Sequence, residues 1–271
     1  MDSRGLYAPQ SLTWQINRHP IILLGGLRAL LMQVAHPLVA QGVAEHSSFQ
    51  KMPLKRLFRT LDLMLTVTFG DLLQAQQAVD AIGQAHLKVK GVLPQTAGPY
   101  KQGQAYHAEM LPLKVWVLAT LVDTSMRMYD LFVQPLGLGQ RKQYYYESFA
   151  MSRMLGIPDE AWPCDYDAFE KYMREMEQHG IMAKGTTAKQ LGRDIMYPPI
   201  AGLPQFLVSP LRMLTLGFLP ESLRKDFGFE WRNRNAKIHA AWVIGLRLFY
   251  RLWPPVLKTL PYARKAKKRW S

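Results

Sequence analysis

The sequence predicts an all-α fold: a single helical domain with a C-terminal helical extension. Three observations carry this. Apolar residues recur at helical spacing along most of the chain. Strand signals are almost absent, with no Asn-Gly or Asp-Gly turn between alternating runs. No internal repeat or low-complexity linker divides the chain. Helices that are apolar on one face must pack around a shared core.

The elements follow in order. The stretch "GGLRALLMQVAHPLVAQGVAEHSSF" (25–49) reads as one helix through Leu27, Leu30, Leu31, Val34 and Leu38, kinked at Pro37, which lacks a backbone donor. Leu57, Phe58, Leu61, Met64, Leu65 and Thr68 share one face of a second helix, which Gly70 ends. Ala75, Val79, Ile82, His86, Val89 and Leu93 step by four and three, giving a third helix closed by Gly91 and Pro94. Further helices are expected over 111–133, 137–158, 165–180 and 186–199. Asp165 or Asp167 is the expected N-cap of the third of these. From Pro198 to Pro220, prolines and glycines punctuate the chain, so short helices at most are expected there. A last helix covers 233–253, before the basic run "RKAKKR".

The composition is that of a folded protein: 48% hydrophobic and 20% charged over 271 residues. That length is enough to bury a core and still enclose a cavity. The single cysteine, Cys164, excludes an internal disulfide and a cysteine-based zinc site. No apolar stretch reaches the roughly 18–20 residues of a membrane-spanning helix, and the N-terminus lacks the apolar core of a signal peptide. A cytoplasmic protein is therefore expected, with peripheral contact to an anionic membrane as an option. The net charge is +14, and Arg264 to Arg269 carry five cations in six residues. Such a run is commonly a solvated end. An anionic lipid surface is its next reading, because "LFYRLWPPVLKTLPY" before it suits an interface. No nucleic-acid-binding motif stands beside the basic residues, so no nucleic-acid partner is expected.

His86 is the most informative residue. It falls on the centre of its helix's apolar stripe, where an unsatisfied ring nitrogen would cost roughly 1–3 kcal/mol. A core histidine bonded to a carbonyl or carboxylate is one reading. The sharper one is an axial haem ligand, with the second ring nitrogen held by a hydrogen bond. One histidine suffices there, because the porphyrin supplies the remaining nitrogens. In "RLFRT", Arg56 and Thr60 stack on one side of a helix and Arg59 lies nearby. These are either solvent-facing residues or the edge over a bound cofactor, since an arginine's fork of donors suits propionates or iron-bound oxygen. Arg28, His36 and His46 share the kinked segment with Glu45. They are either satisfied polar residues of a core helix or the wall of a reactive pocket. Glu45 beside His46 is the nearby acid/base candidate. "GGLRAL" is no dinucleotide fingerprint, and no Glu-x-x-His pair of a di-iron bundle occurs.

Taken in order, "GGLRALLMQVAHPLVAQGV", "EHSSF", "RLFRT", "TFGD", "AHLKVKG", "WVLATLVD", "MLGIP" and "AFEKYM" resemble the MpaB-type oxygenases, the family of the rubber oxygenase (latex-clearing protein) catalytic domain. The likeness implies a catalytic domain over 14–232, with 233–271 as the C-terminal helix and tail. It implies a globin-like core, one haem b with its iron, and O2-dependent cleavage of carbon–carbon double bonds in isoprenoid chains. By this resemblance His86 is the proximal ligand, and Arg56 and Thr60 are the paired residues of the haem pocket. Arg59 stands where the rubber oxygenase has a distal lysine, and a protonated arginine does not ligate iron. Leu118 stands where many members carry a histidine. His36 and His46 match positions typical of the short members. The resulting expectation is a haem-dependent oxygenase of a hydrophobic alkene. The alternative is a haem- or lipid-binding helical protein without catalysis.

Overall fold

The structure, a computed structural model, describes residues 4–46, 53–178, 182–183, 185–198 and 205–270, without the side chains of 53–58 and 205–207. In chain order these residues form α1 (Leu12–Asn17), a 3-10 turn (Pro20–Gly25), α2 (Gly26–Ala35), α3 (Pro37–His46), α4 (Pro53–Phe69) and α5 (Leu72–His86). The strands β1 (Lys90–Val92) and β2 (Ala105–His107) come next. There follow α6 (Leu111–Phe132), α7 (Leu138–Met154), α8 (Tyr166–Gln178), α9 (Thr186–Met196), α10 (Gln205–Phe218), α11 (Glu221–Phe227), α12 (Asn233–Leu252) and α13 (Pro261–Lys267). The all-α expectation holds. Among the described residues, the only sheet is the antiparallel pair β1–β2, with Gly91 opposite Tyr106.

The long helix α6 is the axis of the core. Trp116, Ala119, Met128 and Phe132 on it are fully buried, and α2, α7, α12 and the 3-10 turn pack around it. The Trp116 indole N–H donates to the Met32 carbonyl at 3.0 Å, which ties α6 to α2 and satisfies the one polar atom of a large buried ring. Gly25 sits where a Cβ would come within 2.5 Å of Thr124 and 2.6 Å of Met128. Only glycine lets the 3-10 turn approach α6 so closely. The start of α1 is capped twice. Ser11 accepts from Trp14, and the Glu147 carboxylate takes the N–H groups of Leu12 and Thr13 at 3.1 and 2.7 Å. Asp165 caps α8, accepting from the Ala168 N–H at 2.8 Å, as one of the two expected aspartates.

Four expectations differ from the structure. The kinked helix is two helices, α2 and α3, inclined at 105°. The proline bars His36 from helical geometry, and its backbone is extended (φ −72°, ψ 122°). The helix expected to reach Leu93 ends at His86, because Lys90, Gly91 and Val92 pair as a strand instead. Through the proline-rich stretch runs α10, a 14-residue helix with Pro210 inside it. Its Leu214 and Phe218 are buried against the core. The basic run is no free tail. It forms α13, with Ala263 and Ala266 buried, Tyr262 bonded to Asp62, and Arg269 bonded to the Phe69 carbonyl. No single described helix is long and apolar enough to cross a membrane.

Candidate functional site

A cavity of about 240 Å³ lies between α1, α2, α4, α6 and α7. Its body is apolar: Leu30 of α2, Leu61, Met64 and Leu65 of α4, and Leu118 and Leu121 of α6. Among the described side chains, no Asp, Glu, Lys, Arg or His lines it. At Gly26 an added Cβ would meet nothing within 4 Å, so the absent side chain widens the space. Polar groups gather around Tyr144, which is buried: Asn17 donates to its hydroxyl at 3.4 Å, and Thr13 and Ser125 line the same cavity. The Thr13 hydroxyl is buried without a hydrogen-bond partner among the described residues. Such a lining is chemically suited to an apolar molecule, with a few neutral polar contacts beside it.

Of the residues marked from sequence, Thr60 lines this cavity, on the helix that forms its wall. Arg59, on the same turn of α4, is exposed. Arg56 lies on α4 among the side chains outside the described residues.

His86 stands at the last turn of α5, half-exposed rather than at the centre of a buried stripe. Its Nδ1 lies 3.0 Å from Oε1 of Glu109, and Lys114 donates to Oε2 of the same carboxylate at 3.0 Å. Burial works to raise the pKa of Glu109, but the hydrogen bonds and charges of Lys114 and His86 outweigh it and hold the group below the usual carboxylate range. An ionised carboxylate only accepts hydrogen bonds. The proton of a neutral His86 ring is therefore on Nδ1, and the lone pair is on Nε2. This is the carboxylate–histidine arrangement that fixes a metal-binding tautomer.

Three other groups form separate contacts. Arg28 is fully buried and uses its whole fork inside the protein: Nη2 to Asp123 at 2.6 Å, Nη1 to Thr124 at 2.5 Å and Nε to the Phe218 carbonyl at 2.9 Å. His36 is buried, its Nδ1 accepting from the Leu38 N–H at 3.3 Å and its Nε2 lying 2.9 Å from the Tyr100 hydroxyl. Burial lowers its pKa to about 4, so the ring is neutral. Glu45 accepts from Tyr106 and, at 2.6 Å, from Gln41. The Tyr106 hydrogen bond is the main cause that holds the Glu45 carboxyl below the usual range. His46 reaches the Lys90 carbonyl at 2.9 Å, so Glu45 and His46 together fasten α3 to the hairpin.

Sequence reasoning missed Glu109, Tyr106, Thr13, Asn17 and Tyr144. Glu109 lies 23 positions from His86, beyond any helical spacing. The other polar groups are ordinary residue types that only the fold collects. Among the described residues, no cluster of three or more His, Cys, Asp or Glu side chains is placed to hold a bare metal ion. A haem would ask one oriented imidazole of the protein, and His86 held by Glu109 offers one, although His86 does not line the apolar cavity.

A family model described as "ER-bound oxygenase mpaB/B'/Rubber oxygenase, catalytic domain" matches residues 14–248. Uncharacterized proteins of Mycobacterium bovis and Mycobacterium tuberculosis are each 25% identical over 234 residues, covering 83% of this chain and 87% of theirs. No solved structure matches the chain.

Proposed function

We propose that this chain, which belongs to the mpaB/rubber oxygenase catalytic-domain family and is thus an enzyme of an oxygenase family, is a haem b-dependent oxygenase of a hydrophobic alkene. The observation that carries the haem reading is the Nδ1–Glu109 contact, which leaves the Nε2 lone pair of His86 for iron. Glu109 orients the ring, and Lys114 keeps the carboxylate charged. When bound, haem iron supplies the binding and activation of O2. Arg56 and Arg59, on the first turns of α4, would offer guanidinium donors to the haem or to developing negative charge. Their assignment, like that of Thr60, rests on the family resemblance.

The cavity supports the substrate reading. Its described lining carries no charge, so it favours an isoprenoid-like chain over a charged molecule. Overall, one C=C bond and one O2 would give two carbonyl groups, which balances without a further reductant. The described lining, with no histidine or charged side chain and Leu118 in its wall, also suits a second reading: a protein that holds such a ligand without turning it over.

Oxygen uptake separates the two. Purified haem-loaded protein, given a short isoprenoid alkene, should consume one O2 for each pair of carbonyl ends formed. Gly26→Leu, which fills the open side of the cavity, should cut that rate by tenfold or more with the haem spectrum unchanged. Ligand binding without oxygen uptake would leave the binding-only reading standing and reject catalysis.

A further inference from the structure

The outer face of α12 is apolar, and no described residue covers it. Its inner stripe, Val243, Leu246 and Tyr250, packs on the core. Its outer stripe, Ile244, Leu248 and Leu252, recurs at steps of four and is 60%, 55% and 82% exposed. Trp242 and Phe249 edge that stripe, and Val256 and Leu257 continue it past the helix end, all four exposed. Of the seventeen exposed large hydrophobic residues among those described, seven fall within 242–257. Such crowding differs from the single exposed apolar residues of an ordinary surface.

Charge selects the occupant. From Trp231 to Ser271 the chain has eleven Lys and Arg and no Asp or Glu. Arg234 and Lys237 stand exposed on the same side of α12 as the apolar stripe, nearer its N-terminus, and Arg251 is exposed at its edge near the C-terminus. We propose that the Trp242–Leu257 face of α12 and its following loop is a membrane-docking surface, which buries its apolar stripe at the interface of an anionic phospholipid bilayer while the flanking cations meet the headgroups. This is the pattern of an interfacial helix: apolar residues on one side, basic residues around them, and too little continuous apolar length to span. A second copy of the chain is disfavoured, because a two-fold contact would bring each cationic patch against itself. The apolar stripe is equally unsuited to a phosphate backbone. The surface is distinct from α13, whose inner side is already folded against α4.

The test is flotation of the full-length protein with vesicles of phosphatidylcholine containing about one-third phosphatidylserine. Wild-type protein should float with them and remain in solution with pure phosphatidylcholine. The double variant Leu248→Asp/Phe249→Asp should lose binding by more than tenfold. Its far-UV spectrum and melting temperature should be unchanged, since both side chains point away from the core. Arg234→Gln/Lys237→Gln should bind more weakly by roughly fivefold per charge removed. Full binding by a folded Leu248→Asp/Phe249→Asp protein would overturn the proposal, by reducing the contact to charge alone. So would a wild-type dimer in solution that this variant abolishes. Equal binding to neutral vesicles would overturn the role given to the cations. None of these readouts depends on haem or turnover.

Discussion

At His19 and His36, burial holds the ring neutral, lowering the pKa from 6.5 to about 4 in each. Neighbouring Arg18 and Lys258 add to the effect at His19. Between those two values the unfolded chain binds protons that the folded protein does not. Stability is therefore complete above the unfolded value and falls as pH drops from 6.5 toward 4, by up to about 3 kcal/mol per ring. We expect the urea midpoint to fall over that range and to fall less in His36→Gln, which keeps a polar partner for Tyr100. Identical pH slopes in the two proteins would show that His36 takes up its proton in the folded state. The sequence made the polar residues around Pro37 visible, and their partners invisible. Tyr100 is 64 positions from His36 and Asp123 is 95 from Arg28, so neither pair leaves a periodic trace. The same distance hid Glu109 from His86. The reasoning that a buried or metal-binding histidine needs its second nitrogen held was sufficient to expect a partner, and not to name it.

The long helices were legible nearly to the residue: α4, α6 and α12 begin and end close to where their apolar periodicity does. The hairpin was not. Its strands have three residues each, too short for alternation to appear, and the apolar steps from Ala75 to Leu93 imitate a longer helix. Gly91 is what makes the hairpin fit. A Cβ there would lie 2.8 Å from Oε2 of Glu45 and 2.8 Å from the Tyr106 hydroxyl. These are the atoms that join β2 to α3. Gly91→Ala should therefore separate the hairpin from α3 and cost about 1–3 kcal/mol of stability in denaturant unfolding, as overpacking does. A stability gain would mean that the hairpin moves aside freely. Pro210 misled in the opposite direction. Pro210 is the sixth residue of α10, where it removes a helical hydrogen bond, and the burial of Leu214 and Phe218 offsets that loss.

The molecule as a whole joins a helical core around α6, an apolar cavity on one side of α4, and a histidine held by a carboxylate beside the hairpin. The fold class and the family likeness were both readable from sequence, because periodicity and ordered motifs extend along the whole chain. The site was readable only in part. Thr60 and Leu118 do meet the cavity, while Arg28, His36, Glu45 and His46 fasten elements to one another. The haem proposed on His86 would unite cavity and histidine in one enzyme, so that proposal is the claim to test. The most direct measurement is a titration of haem b into the full-length protein, followed by its Soret band. Wild-type protein should bind one equivalent with the spectrum of a histidine-ligated haem. Glu109→Gln should keep that spectrum but bind roughly 10–100-fold more weakly, as loss of an orienting partner does. His86→Ala should lose the spectrum. Unchanged affinity and an unchanged Soret band in His86→Ala would contradict the assignment.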